Sequence, residues 1–143
     1  MLEGAIREKS DLVKKTYLVT GGAGFIGSNF VHWLRKNHSE HRVVVLDALT
    51  YAGNLTSLPS FDAIADEHLR FWYGNVKNGP LVDALVAEAD VVVHFAAETH
   101  VTRSIYDNYS FFETDVLGTQ VLANAIVKHK DRIQRFIHIS SSE

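Results

Sequence analysis

Three glycines at three-residue intervals are the first residues whose types and spacing indicate chemistry. They form Gly21-x-x-Gly24-x-x-Gly27, and a second spacing that begins at Gly22 also fits. Glycine permits a tight turn, lets the backbone approach a pyrophosphate group and lets a helix pack closely on a strand. A helix that begins here would offer unpaired N–H groups and a partial positive charge to phosphate oxygens. A turn that merely needs glycine would show the same string, so its meaning depends on the flanking elements.

Those flanking elements have the pattern of a dinucleotide-binding unit. The apolar run at 17–19 predicts a buried strand, and the apolar residues at 25–34 recur at helical spacing. Strand, glycine turn and helix is the context that gives the glycine string its meaning.

Asp47 ends a second apolar run and follows Gly27 by 20 residues. A carboxylate there would bind ribose hydroxyls and repel a 2′-phosphate, so we predict NAD rather than NADP. The alternative is an aspartate that simply ends a strand.

The remaining apolar runs predict one α/β fold, a Rossmann-type doubly wound parallel sheet. Strands are predicted at 17–19, 43–46, 69–73, 89–97 and 133–139, and later helices at 81–89 and 106–130. Alternating strands and helices imply right-handed crossovers and a parallel sheet, whose ligands lie beyond the carboxyl ends of the strands. Small residues at that end of the fourth strand, Ala96 and Ala97, would let a cofactor lie close to the backbone.

Composition limits the other function classes. The 143 residues suffice for one domain, which we place at 16–143, with residues 1–15 as a poorly ordered lead-in. The net charge of −3 and the scattered basic residues give no indication of a nucleic-acid or membrane partner. The lack of cysteine excludes disulfides, thiolate catalysis and cysteine-ligated zinc, and is compatible with a cytoplasmic location. His94 and His100 have no further ligand at metal spacing, so no metal site is predicted.

Several stretches resemble the extended short-chain dehydrogenase/reductase family of NAD-dependent epimerases and dehydratases. They are 20–27, Asp47 with 49–54, 96–101 with 103–105, and 116–119, and the closest likeness is to the dTDP-glucose 4,6-dehydratases. The resemblance implies an NAD-dependent lyase acting on a nucleotide-sugar: C4 is oxidised, C5 loses a proton, water leaves C6 and the hydride returns to C6. It implies cofactor contacts by Gly21, Gly24, Phe25, Ile26, Gly27, Asp47, Leu49, Thr50, Asn75, Val76, Phe95, Ala96 and Ala97. It implies substrate contacts by Glu98, His100 and Ser104.

The chain's last residues correspond to a catalytic segment of that family. By resemblance, Ser141 would hydrogen-bond the C4 oxygen and Glu143 would be the C5 base. Ser142 stands where the dTDP-glucose enzymes carry an aspartic acid, and a serine hydroxyl is a poor proton donor. In this it is closer to GDP-mannose 4,6-dehydratases and UDP-glucuronate decarboxylases.

Three further positions depart from the dehydratase pattern. Asn75 and Thr102 stand where aspartate is usual, and Asp115 stands where asparagine is usual. The amide of Asn75 still offers an acceptor to the adenine amino group. These departures are typical of a divergent member of the family.

The family's catalytic Tyr-x-x-x-Lys pair does not occur in these 143 residues. Family members are more than twice as long, so we expect the amino-terminal part of a longer enzyme, which binds NAD but does not turn over substrate alone. A homodimer is expected by resemblance. The alternatives are a nucleotide-sugar 4-epimerase or UDP-glucuronate decarboxylase of the same family, and a non-catalytic NAD-binding module such as a redox-sensing regulator.

Overall fold

A five-stranded parallel sheet forms the centre of the chain. The computed structural model of the protein describes residues 13–59 and 67–140. The strand order is β3-β2-β1-β4-β5, and every neighbouring pair is parallel. The strands are β1 Thr16–Thr20, β2 Arg42–Asp47, β3 Leu69–Tyr73, β4 Val91–His94 and β5 Arg135–His138. The doubly wound α/β fold predicted from the alternating pattern is confirmed.

Helices connect these strands on both faces of the sheet. The first two are α1 Phe25–Asn37 and α2 Gly79–Glu88, with one short 3₁₀ turn, Leu55–Ser57, in the loop after β2. Between β4 and β5 the chain forms α3 Val101–Tyr106, α4 Asn108–Phe111, a π-helical segment Phe112–Gly118 and α5 Thr119–Lys128. The helical run from Asn108 to Lys128 is continuous, so the long helix predicted over 106–130 is present from Asn108 onward, with a π-helical segment in its middle. Asp107 leaves helical geometry and caps α4 by accepting from Ser110 N–H, and the π-helical segment then changes the helical repeat.

Two apolar clusters bury the two faces of the sheet. Successive side chains of a strand point to opposite faces, so Leu18 and Val19 of β1 belong to different clusters. Val82 of α2 and Leu122 of α5 pack on the face of Leu18, whereas Val31 of α1 packs on the face of Val19. All five of these side chains are fully buried. The central strands are apolar without alternation because both of their faces are covered.

The ends of the chain were predicted in more detail than the structure describes. Residues 1–12 of the predicted lead-in and the three predicted catalytic residues, Ser141, Ser142 and Glu143, lie outside the described residues. The described chain leaves β5 at the carboxyl edge of the sheet, where Ile139 N–H donates to His94 O at 3.1 Å. Ile139 therefore lies beside the end of β4.

Candidate functional site

The glycine turn between β1 and α1 is closely packed against the end of β4. Gly21 has a φ of +69°, a conformation that favours glycine, and its N–H donates to Leu46 O at 2.9 Å. A Cβ atom at Gly21 would lie 2.5 Å from Ala96 N. A Cβ atom at Gly27 would collide with the carbonyl oxygen of Gly21. Glycine is therefore required at both positions by the protein's own packing.

The beginning of α1 has backbone donors without a side-chain cap. Gly24 is the N-cap residue, makes no side-chain hydrogen bond, and no acidic residue follows in the first turn. The first N–H groups of a helix have no partner inside the helix, and together with the helix dipole they attract an anion. The side chains of Phe25 and Ile26 are 85% and 62% exposed. Their backbone N–H groups are thus what this turn offers to a phosphate.

Asp47 connects the glycine turn to the loop after β2. One carboxylate oxygen accepts from Ala23 N–H at 2.9 Å, and the other accepts from Leu49 N–H at 2.8 Å. Leu49 has a φ of +49°, which the second of these bonds helps to hold. Asp47 is therefore more than the end of a strand. Each of its oxygens keeps further acceptor capacity, so ribose hydroxyls can still donate to it.

A shallow groove lies at the carboxyl ends of the strands. Nine of the predicted cofactor residues line it: Gly21, Gly24, Asp47, Thr50, Asn75, Val76, Phe95, Ala96 and Ala97. Four predicted cofactor residues, Phe25, Ile26, Gly27 and Leu49, are not among the lining residues. Gly27 packs against Gly21 O, and Leu49 N–H donates to Asp47. Thr114 also lines the groove, and the sequence did not indicate it because the π-helical segment that carries it has no pattern of its own.

Asn75 is held by a local hydrogen bond at the end of β3. Its Oδ1 accepts from Lys77 N–H at 2.9 Å, which forms a turn of the type that Asn favours. The acceptor predicted for an adenine amino group is thus already engaged, with one further lone pair remaining. Val76, beside it, is buried against Gly118, where a Cβ atom would lie 2.5 Å from Val76 Cγ2.

His94 lies in a buried polar cluster beneath the groove. Its Nδ1 is 2.5 Å from Thr20 Oγ1, and its Nε2 is 3.0 Å from Thr119 Oγ1. Burial, together with the nearby His138, lowers the pKa of His94 to about 4, so the ring is neutral at pH 7. Ala96 N–H donates to Thr20 Oγ1 at 3.4 Å. This cluster therefore links the end of β1 to the backbone that forms one wall of the groove.

The three predicted substrate residues lie in the segment after β4 and are not among the residues that line the groove. Glu98 N–H donates to Asp115 Oδ1 at 2.8 Å. Burial raises the pKa of Asp115, and the bond from Glu98 N–H opposes that effect. His100 is the N-cap residue of α3 and is exposed, and Ser104 is half-buried on the same helix.

Tyr51 joins the loop after β2 to this segment, a contact that the sequence did not indicate. The Arg103 guanidinium lies 3.9 Å from the centre of the Tyr51 ring, and the His100 ring lies 6.4 Å from it. Burial raises the pKa of the Tyr51 hydroxyl, and its hydrogen bond with Glu98 raises it further. The two loops that border the groove are therefore in contact. The tyrosine and arginine were visible in the sequence, but their pairing depends on the fold.

No helix in the described part of the chain is both long enough and apolar enough to cross a membrane.

Known proteins match this chain over most of its length. The model of a protein family described as GDP-mannose 4,6 dehydratase matches residues 18–143. A dTDP-glucose 4,6-dehydratase from Streptomyces antibioticus is 49% identical over 131 residues, which cover 88% of this chain and 37% of that protein.

Solved structures match with the same coverage. A dTDP-glucose 4,6-dehydratase from Streptomyces venezuelae, with NAD and TYD bound, is 41% identical with a TM-score of 0.78. The match covers 90% of this chain and 42% of that one. A UDP-glucose-4-epimerase from Stenotrophomonas maltophila, with NAD bound, is 28% identical with a TM-score of 0.76, and the match covers 90% and 37% of the two chains. This chain thus spans about two fifths of the length of the proteins it matches.

Proposed function

Because the chain belongs to the GDP-mannose 4,6 dehydratase family, we propose that it forms the NAD-binding part of a nucleotide-sugar 4,6-dehydratase. The observation that carries the proposal is the glycine turn, which opens with uncapped helix N–H groups onto a groove at the carboxyl ends of the strands. The relatives named as dTDP-glucose 4,6-dehydratases support this activity for the whole protein.

The residues of the groove fit NAD. The turn from Gly21 to Gly27 would hold the pyrophosphate, since a side chain at either end of it would meet backbone atoms. Asp47 would accept from the ribose hydroxyls, and its charge would repel a 2′-phosphate. Asn75 and Val76 would border the adenine. Ala96 and Ala97, with small side chains on the other wall, would leave space for the nicotinamide end.

By resemblance, three residues at the end of this chain would act on the hexose. Bound NAD would accept a hydride from C4 and return it to C6, and the tyrosine of the family's Tyr-x-x-x-Lys pair, which these 143 residues lack, would take the C4 hydroxyl proton. The Ser141 hydroxyl hydrogen-bonds the C4 oxygen, and the Glu143 carboxylate removes the C5 proton, which a ketone at C4 makes acidic. The Ser142 hydroxyl can hydrogen-bond the C6 hydroxyl but is a weak proton donor for its departure.

A second candidate is a nucleotide-sugar 4-epimerase. Its support is the likeness to the UDP-glucose-4-epimerase structure, which covers the same part of the chain at lower identity. A UDP-glucuronate decarboxylase is a further alternative, because Ser142 and Glu143 fit its pattern as well. The whole protein, incubated with dTDP-glucose, GDP-mannose, UDP-glucose and UDP-glucuronate, would separate these activities. We expect a 4-keto-6-deoxy sugar; epimer formation or carbon dioxide release would favour an alternative.

Cofactor binding can be tested on the 143-residue chain itself by calorimetry. We expect it to bind NAD more tightly than NADP, because Asp47 lies where a 2′-phosphate would be. In Gly24→Ala the added Cβ meets one atom, Gly21 O at 3.3 Å, and a shift of a few tenths of an ångström relieves this tight contact. The fold should therefore form, while the methyl group enters the phosphate cradle. We expect NAD affinity to fall about tenfold, or ~1.4 kcal/mol.

The matched control for this experiment is Gly79→Ala. A Cβ atom at Gly79 has no atom within 4 Å, and the residue begins α2 outside the groove. Gly79→Ala should bind NAD as the unchanged chain does. Equal NAD affinity in all three proteins, or a preference for NADP, would contradict the proposed site.

The chain alone should form no 4-keto sugar. Its production by the purified 143 residues would show that the Tyr-x-x-x-Lys pair is not needed. A whole protein that binds NAD and lacks that pair would instead favour the non-catalytic module.

We also propose a homodimer in the cytoplasm. Large apolar side chains are exposed along α3, α4 and the π-helical segment, namely Ile105, Tyr106, Tyr109, Phe112 and Val116. Such a patch is typical of a protein–protein interface. Sedimentation of the whole protein at twice the monomer mass would support the dimer, and a monomer at micromolar concentration would contradict it.

A further inference from the structure

The turn between α1 and β2 brings two imidazoles and a carboxylate together. His38, Glu40 and His41 each offer one ligand atom, and these three atoms all lie within 4.8 Å of one another. His38 Nδ1 is 3.7 Å from Glu40 Oε1, and His41 Nε2 is 3.9 Å from the same oxygen. Within the described residues this is the one group of three such side chains that could hold a metal ion.

The three side chains are held by the turn rather than by chance contact. His38 N–H donates to Leu34 O at 2.8 Å, and His41 N–H donates to His38 O at 3.1 Å. The Arg35 guanidinium donates to Ser39 O at 3.1 Å, across the same turn. Four residues thus carry all three ligands on a backbone whose hydrogen bonds are already made.

Ring packing fixes the orientation of both histidines. The His38 and His41 rings are stacked with centroids 5.8 Å apart and an angle of 8° between their planes. On the outer sides, His41 stacks on Tyr17 at 5.3 Å and His38 meets the edge of Trp33 at 5.2 Å. This packing restricts the rotation of the imidazoles and keeps both rings beside Glu40, so only limited movement separates the present arrangement from one that binds an ion.

We propose that His38, Glu40 and His41 form a binding site for a divalent first-row transition-metal ion, with Zn²⁺ as the best match. Imidazole and carboxylate are its preferred ligands next to thiolate, at about 2.0–2.2 Å. A tetrahedral arrangement at that radius requires ligand atoms about 3.3–3.5 Å apart, so small side-chain movements complete the site. Three protein ligands leave the fourth position to water.

Binding changes one existing contact of His41. Its Nδ1 lies 3.5 Å from Lys15 N, as an acceptor at the limit of hydrogen bonding. An ion at Nε2 requires the proton on Nδ1, so this weak contact is given up. Glu40 also borders a cavity lined by Lys14, Lys15 and Arg42, whose positive charge opposes a cation. We therefore expect weaker binding than at a four-ligand structural zinc site.

The site is separate from the proposed cofactor groove. Helix α1 begins at the glycine turn and ends at Asn37, one residue before His38. Its 13 residues place the two sites about 20 Å apart, at opposite ends of the helix. The ion would fasten the end of α1 to the beginning of β2, and would take no part in hydride chemistry.

The experiment titrates Zn²⁺ into the untagged, chelator-treated 143-residue chain by calorimetry, with Co²⁺ as a visible probe. We expect one equivalent to bind, a rise in the melting temperature, and the strong Co²⁺ visible absorption of a tetrahedral nitrogen and oxygen site. His38→Ala and Glu40→Gln should each weaken binding at least ~10-fold, since even residues that only support ligands contribute ~10–100-fold. Neither side chain is in the buried core, so both variants should fold.

The matched control is His32→Ala. His32 is an exposed histidine of α1 whose Nε2 contacts Ser57 O at 3.0 Å, and it is not part of the cluster. Zn²⁺ affinity should be unchanged in this variant. The proposal is overturned if no stoichiometric binding occurs, if Glu40→Gln and His38→Ala bind as tightly as the unchanged chain, or if His32→Ala loses affinity equally. NAD affinity is also measured with and without Zn²⁺. Failure of Zn²⁺ binding can then be told apart from failure of NAD binding, which tests the proposed function.

Discussion

His94 makes the stability of the chain depend on pH between about 4 and 6.5. Its side chain is 1% exposed, and burial, followed by the charge of His138, lowers its pKa from 6.5 to about 4. In the unfolded chain the ring regains its ordinary pKa, so within this window the unfolded state binds more protons than the folded state. The contribution of neutral, buried His94 to the free energy of unfolding is therefore complete above pH 6.5 and is lost as the pH falls towards 4.

The size of this effect follows from the pKa change. Lowering a pKa from 6.5 to about 4 corresponds to about 3 kcal/mol of unfolding free energy, at 1.36 kcal/mol per pKa unit. Between pH 7 and pH 5 the expected loss is about 2 kcal/mol. A small domain has about 5–15 kcal/mol in total, so this one ring is a measurable part of it.

The assay is urea unfolding of the unchanged chain and of His94→Gln, at pH 7 and at pH 5. Glutamine does not titrate, so the unchanged chain should lose about 2 kcal/mol more than the variant between the two pH values. His138→Gln should reduce that loss, because the charge of His138 contributes to the lowered pKa of His94. His32→Gln, at an exposed position on α1, should behave as the unchanged chain. Equal losses in the unchanged chain and His94→Gln would refute this account of the buried cluster.

Two further predictions concern packing, each with a matched control and measured by urea unfolding. Gly21→Ala should destabilise the chain by about 2–4 kcal/mol, because it combines a positive φ with a Cβ atom against the end of β4. Its control, Gly79→Ala, should be neutral or slightly stabilising. Equal urea midpoints for the two variants would contradict this prediction. Leu122→Ala, at a fully buried position on α5, should cost about 2–5 kcal/mol, whereas Val127→Ala, 68% exposed on the same helix, should change stability by less than ~0.5 kcal/mol. A similar cost for both substitutions would show that α5 does not pack as described.

The parts of the site that sequence could predict are those carried by local patterns. The glycine spacing at 21–27 requires only a few consecutive residues, because a tight turn and a close helix start restrict side-chain size directly. Asp47 was predictable because a strand and a crossover helix have a nearly constant length in this fold. The strands were predictable because continuous apolar runs indicate burial on both faces.

The parts that sequence could not predict depend on residues distant in the chain. The His94 cluster joins Thr20 to Thr119 through one ring, and no spacing indicates such a contact. The two hydrogen bonds that the Asp47 carboxylate accepts, from Ala23 N–H and Leu49 N–H, depend on the exact path of two loops. The start of the long helix after Asp107 and the π-helical segment inside it were not predictable, because the residues of that segment include ordinary helix formers.

The position of β1 at the centre of the sheet has a consequence for how the chain folds. Its register pairs Thr20 with Leu46 of β2 on one side and with His94 of β4 on the other. The second contact joins residues 74 apart in the sequence, so it closes a far longer loop than the first. Loop-closure entropy must be overcome before such a contact stabilises anything, and long-range parallel pairing is correspondingly slow. One edge of β1 therefore remains open until β4 has been synthesised, and during that interval its unpaired backbone N–H and C=O groups are accessible to other chains.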